Sequence, residues 1–195
     1  MTDLAETLVE PESPGLAGRN LVTASHLMGL ATAFFFLAFV FAFTYLRTLD
    51  GERLFRPKNV NAPTTLGAVI AVLFVAAAVA IRLALTDQRG GRPGVVRLKL
   101  GAALAFGLGA LAAQIVEWAT LGFGPNSGGY ASVFVGWTGF EFLFAILALY
   151  WVETQFATAL RQRDQPVIGL DALAYYWTFL AGLGVVAWIV LYTIT

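Results

Sequence analysis

Two acidic residues, Glu117 and Glu141, stand inside otherwise apolar sequence, in the stretch LGALAAQIVEWATLGFGPNSGGYASVFVGWTGFEFLFAILALYW from Leu108 to Trp151. An ionised carboxylate in hydrocarbon is costly enough that it normally faces protein or water and has a partner or a task. Gln114 accompanies them, and the chain's one histidine, His26, lies in a second apolar stretch. The chemistry open to these four side chains is proton exchange, hydrogen bonding to one another, or contact with a lipid headgroup. Metal binding does not fit the pattern, because no second His, Cys or acid stands four residues from His26. The chain has no Cys at all, which excludes thiolate ligation of copper or an iron–sulfur cluster. A single His cannot hold a heme between two imidazoles, and there is no glycine-rich phosphate loop, GxSxG or HExxH. No catalytic, cofactor-binding or metal-ligating residue is assigned.

The elements that must position these groups follow from composition. Hydrophobic residues make up 58% of the 195, and the mean hydropathy is +0.75, far outside the range of a soluble domain. Crossing about 30 Å of hydrocarbon takes roughly 20 residues of helix. Five runs meet that length, at about 22–46, 64–85, 100–122, 131–158 and 172–194. They are continuous rather than alternating, which predicts helices and not barrel strands. The expected fold is all-α, a polytopic bundle of five transmembrane helices spanning 21–195. Residues 1–20 carry four acids, two prolines and one Arg, and read as a mobile acidic N-terminal tail rather than a signal peptide. With the N-terminus inside, eight Lys and Arg fall on the inner side against four outside, which favours N-in, C-out. The short uncharged turn GFGPNSGG makes the third and fourth spans antiparallel neighbours. Twelve basic and twelve acidic residues give no electrostatic case for nucleic acid.

Depth along the helices sorts the polar groups. Glu117 lies about six residues, roughly 9 Å, from the glycine-rich turn and beside Trp118, so it reads as an interfacial carboxylate with water access, a proton or headgroup role being the alternative. Glu141 lies about eleven residues into the fourth span, near the midplane, where a desolvated carboxyl is expected to keep its proton. Gln114 is at similar depth, and a Gln114–Glu141 hydrogen bond is the expected pairing. His26 sits toward the inner third of the first span, roughly 10 Å or more from the level of Glu141, so these two are not expected to touch. The aromatics, sixteen Phe, six Tyr and five Trp, read as packing and lipid-facing surface. Gly101, Gly107 and Gly109 of the third span, with Gly136 and Gly139 of the fourth, are candidates for a docking or lipid-cleft face, the alternative being packing within the chain.

Several stretches then carry a resemblance spread over all five spans. They are ASHLMGLATAFFFLAFVFAFTYLR, NAPTTLGAVI, QIVEW, YASVFVGWTGFEFLF and YYWTFLA. In these the chain resembles subunit III of the heme-copper terminal oxidases (cytochrome c oxidase), in its short five-helix bacterial form. The fourth span is the most specific, since the family's Tyr-(Gly/Ala)-Ser-x-Phe and Thr-Gly-Phe-His-Gly-Leu-His fall without a gap on Tyr130 to Phe144. The ionisable positions depart from the family. His26 stands where it has a membrane glutamate, Glu141 and Phe144 where it has two histidines, and Thr178 and Ala181 where it has His and Asp. What is kept is the aromatic and small-residue frame of Tyr130, Ser132, Phe134, Thr138, Gly139, Phe140, Tyr176, Trp177 and Phe179.

The resemblance implies an accessory subunit of a proton-pumping oxidase in a prokaryotic cytoplasmic membrane. It implies no cofactor on this chain, heme and copper on the partner catalytic subunit I, contact with other oxidase subunits and phospholipid, and a part in assembly and sustained proton uptake. The changed ionisable positions weaken any direct proton role. The alternatives are the related subunit that accompanies nitric oxide reductases, and a small proton-coupled transporter using Glu141 and His26 as a relay.

Overall fold

The computed structural model describes residues 13–49, 55–57, 59–161 and 167–194. Five helices follow one another: α1 (Pro14–Thr48), α2 (Thr64–Arg89), α3 (Pro93–Thr120), α4 (Gly129–Leu160) and α5 (Val167–Trp188). The last continues as a π-helical turn, Ile189–Thr193. Among the described residues there is no strand, and all five helices are long and apolar enough to cross a membrane. The chain is an all-α, five-helix membrane bundle. At 1.5 Å per residue even the 26-residue α2 reaches about 39 Å, more than the hydrocarbon thickness, so helix ends project or helices tilt.

The helices exceed the apolar runs at most of their ends. The largest difference is in α1, which begins at Pro14, so residues 14–20, read from sequence as tail, are helical. A proline in the first turn lacks only an N–H that would be unsatisfied there anyway, and the same device opens α3 at Pro93. The remainder of the expected tail, residues 1–12, lies outside the described residues.

The turn between α2 and α3 is closed by Gly91, whose φ of +68° lies in the left-handed region that glycine enters without cost. The Arg92 N–H donates to Asp87 O (3.0 Å) across it. Asp87, buried at the end of α2, receives Lys99 of α3 and lies 3.6 Å from Arg92, so a charge cluster holds the hairpin. α5 is the central helix and packs on α1, α2 and α4; α2 and α3 form a long antiparallel pair, and α3 lies against α4 as the short turn requires.

The core has two parts. Toward the α2–α3 turn it is Ala- and Leu-rich, from α2, α3, α4 and α5, with Trp177 buried at its centre and its indole N–H donating to Phe74 O (3.3 Å). Toward the α3–α4 turn it is aromatic, built from Phe36, Phe43, Phe55, Tyr130, Phe134 and Trp137. There the segment before α2 folds over the bundle. Phe55 O accepts from the Tyr130 N–H (2.8 Å), and the Arg56 guanidinium lies 4.3 Å from the centre of the Tyr130 ring.

Candidate functional site

The buried polar cluster of the described residues forms where α3, α4 and the π turn of α5 meet. Glu117 on α3 is 0% exposed. Its carboxylate accepts from Tyr192 OH at both oxygens (2.8 and 2.9 Å) and from Gln114 Nε2 (2.6 Å). Gln114 reaches it because residues three apart share a helix face. Tyr192 reaches it across the bundle, and two local features allow this. The π turn re-registers the end of α5, with Ile194 N–H donating to Ile189 O (3.1 Å) five residues back. Gly67 on α2 leaves room for the ring, since a Cβ there would lie 2.5 Å from Tyr192 Cε1. The same turn offers Leu191 O to Tyr130 OH (2.7 Å). The π segment is thus tied to α3 and to α4 by two buried phenols.

These contacts change two expectations. Glu117 is not an interfacial carboxylate with water access: the fold closes over it and supplies donors in place of water, which an acceptor-only carboxylate needs when buried. The expected Gln114–Glu141 pair is replaced, because Gln114 gives its amide to Glu117 on its own helix. Equal depth put Gln114 and Glu141 at one level, but azimuth decided the partner.

Glu141 is 6% exposed and sits against Gly184 of α5, where a Cβ would lie 3.0 Å from Oε1. That oxygen has no hydrogen-bond partner among the described residues, and neither has the fully buried Nε1 of Trp137 one turn earlier. His26 lies elsewhere. Its ring is exposed on α1, stacked 4.0 Å from the Tyr175 ring, and its Nδ1–H donates to Val22 O (2.7 Å), which places the proton on Nδ1. Tyr175 and Gly184 are nine residues apart on α5, about 13 Å of rise, so His26 and Glu141 are at different levels as the helical ruler anticipates.

The glycines divide. Gly136 packs inside the chain, with a Cβ there 2.9 Å from Phe39 of α1, so it is not part of an open docking face. Gly107 is also internal, facing Leu149 at 2.5 Å and Trp177 at 3.1 Å, while Gly101 meets Phe156 and Gly109 meets Leu73 at ordinary contact distance. Gly139 is open, with nothing within 4 Å of an added Cβ.

Sequence reasoning missed Tyr192 and Gly67. The i, i+3 spacing of Gln114 and Glu117 was the signal that could have found their pairing; nothing in the text LYTIT marks a π turn. Among the described residues no group of three or more His, Cys, Asp and Glu could hold a metal ion. Chemically, the Tyr192–Glu117–Gln114 cluster is a buried cross-link whose carboxylate is fully engaged, whereas Glu141 keeps an oxygen free to exchange a proton or take a donor. No family model matches the chain, and no curated protein matches it.

Proposed function

We propose that this chain is an accessory subunit of a proton-pumping heme-copper terminal oxidase, of the five-helix subunit III type, in a prokaryotic cytoplasmic membrane. Its role is to support assembly, lipid binding and sustained proton uptake, while hemes, copper and the reduction of oxygen belong to the partner catalytic subunit. The N-terminus lies inside and the C-terminus outside, in keeping with the eight-to-four division of Lys and Arg.

One observation carries the reading. The residues on which the resemblance rests fall on the architecture: Tyr130, Phe134, Thr138, Tyr176 and Trp177 are all buried. Trp177 bonds α2, Tyr130 bonds the end of α5, and Thr138 Oγ1 accepts from Trp118 Nε1 of α3 (3.1 Å). A sequence that keeps these while replacing the ionisable positions is one that keeps a shape, as a scaffold subunit must. The unpartnered Oε1 of Glu141 supports a second reading, a proton-coupled transporter, which a lone homo-oligomer on isolation would favour.

Gly139 supplies the experiment. It is open and is followed on α4 by exposed Phe140 and Leu143, the kind of small-residue notch at which another helix can approach closely. Gly139→Leu should leave the isolated chain with unchanged helicity and melting temperature. The oxidase assembled with it should be depleted of this chain, retain its hemes and lose activity during turnover. Full incorporation with steady activity would refute the docking assignment.

A further inference from the structure

On the side of the bundle away from the carboxylates, α2 and α5 leave an apolar groove of about 400 Å³ between Val75, Ala78, Val79, Leu83, Ala181 and Gly182. Arg82 and Thr178 line it as well, and Arg82 is also a wall of a second cavity, of about 150 Å³, that has Ser25, His26, Asp171 and Tyr175 around it. One arginine therefore joins an oily trough to a polar recess formed with α1.

Arg82 sits seven residues before the end of α2, about 10 Å inside it, and is exposed. A guanidinium at that depth on the outside of a membrane helix calls for an anionic partner or a route to the headgroups. Within the chain its Nε donates to Thr178 Oγ1 (2.9 Å), which fixes the plane of the guanidinium and leaves the two terminal nitrogens for an outside acceptor. The acid in the recess, Asp171, is engaged by Arg89 (3.2 Å), so the recess carries two arginines against one carboxylate. His26 turns Nδ1–H to Val22 O and has Nε2 left over. A phosphate fits this set: it accepts two parallel N–H bonds from a guanidinium. A free phosphate would use the recess alone, whereas a lipid uses the adjoining groove too. Basic recesses between transmembrane helices are a common lipid headgroup site.

We infer that the α1–α2–α5 face holds one phospholipid, with an acyl chain in the α2–α5 groove and the headgroup phosphate on Arg82. The site is independent of the oxidase reading, since no residue of it touches the Gly139 face or the carboxylate cluster.

The test is the phospholipid retained by the full chain purified from membranes in mild detergent, counted by phosphorus assay and native mass spectrometry. Wild type should keep about one per chain. Arg82→Gln removes the phosphate partner, and Gly182→Leu fills the groove, in which an added Cβ meets nothing within 4 Å. Each should cut retained phospholipid at least fivefold with helical circular dichroism unchanged. Gly182→Leu leaves every polar contact in place, so its effect isolates the acyl groove from the loss of the Arg82–Thr178 bond. Arg19→Gln, which removes an exposed charge from the same end of the bundle outside both cavities, should leave the count unchanged. Equal retention in wild type, Arg82→Gln and Gly182→Leu would overturn the site. So would an equal loss in Arg19→Gln, an absence of retained lipid in wild type, or binding of inorganic phosphate with no retained lipid.

Discussion

Glu117→Leu should destabilise the bundle by about 2–4 kcal/mol, because two buried donors, Tyr192 OH and the Gln114 amide, would each lose their acceptor at about 1–3 kcal/mol apiece. Water cannot take the place of the carboxylate at a site with no exposure. Glu117→Gln should cost less than about 1 kcal/mol, since its carbonyl still accepts from Tyr192 and the Gln114 amide can turn to accept from it. The measurement is reversible unfolding of the full chain in detergent, followed by helical circular dichroism. A Leu variant as stable as wild type would mean that Glu117 is not the cross-link between α3 and the end of α5. A Gln variant as unstable as Leu would mean that charge, and not hydrogen bonding, is what counts there.

The second large effect is steric. Gly107→Leu places a branched side chain where even a Cβ would lie 2.5 Å from Leu149 and 3.1 Å from Trp177, at the junction of α3, α4 and α5. Overpacking a well-filled core costs about 1–3 kcal/mol and sometimes more. Trp177 is fully buried and tied to Phe74 O, so it cannot step aside, and the loss should lie at or above the top of that range. The variant should accumulate poorly in membranes and melt well below wild type. Gly139→Leu, the same change in open space, is the internal comparison; equal melting of the two variants would contradict the division of the glycines into packed and open.

The five helices were legible because hydropathy over about 20 residues is a strong, local signal. The antiparallel α3–α4 pair was legible because an eight-residue turn leaves no other arrangement. The site was legible only in part. Sequence singled out Gln114, Glu117 and Glu141, and the fold buries all three, but it assigns Gln114 to Glu117 rather than to Glu141. Depth along a helix is read from residue counts alone, whereas the direction a side chain faces depends on tilt and rotation, which neighbouring helices set. Tyr192 was out of reach for a similar reason: it contacts Glu117 from seventy-five residues away through a π turn, a backbone feature without a residue signature. Gly136 and Gly139 differ by three residues and read alike in sequence, yet Phe39 of α1 fills the space at one and leaves the other open.

The accessory-subunit reading is tested most directly by what the native chain brings with it. Isolated from its own membranes through an affinity tag on this chain, the complex should contain a larger catalytic subunit, show heme and copper in near-stoichiometric amount, and reduce oxygen. Separation of the subunits should leave all heme on the partner. Heme accompanied by non-heme iron would transfer the chain to a nitric oxide reductase. Recovery of the chain as a homo-oligomer without heme-bearing partners, or heme retained on the separated chain, would contradict the account.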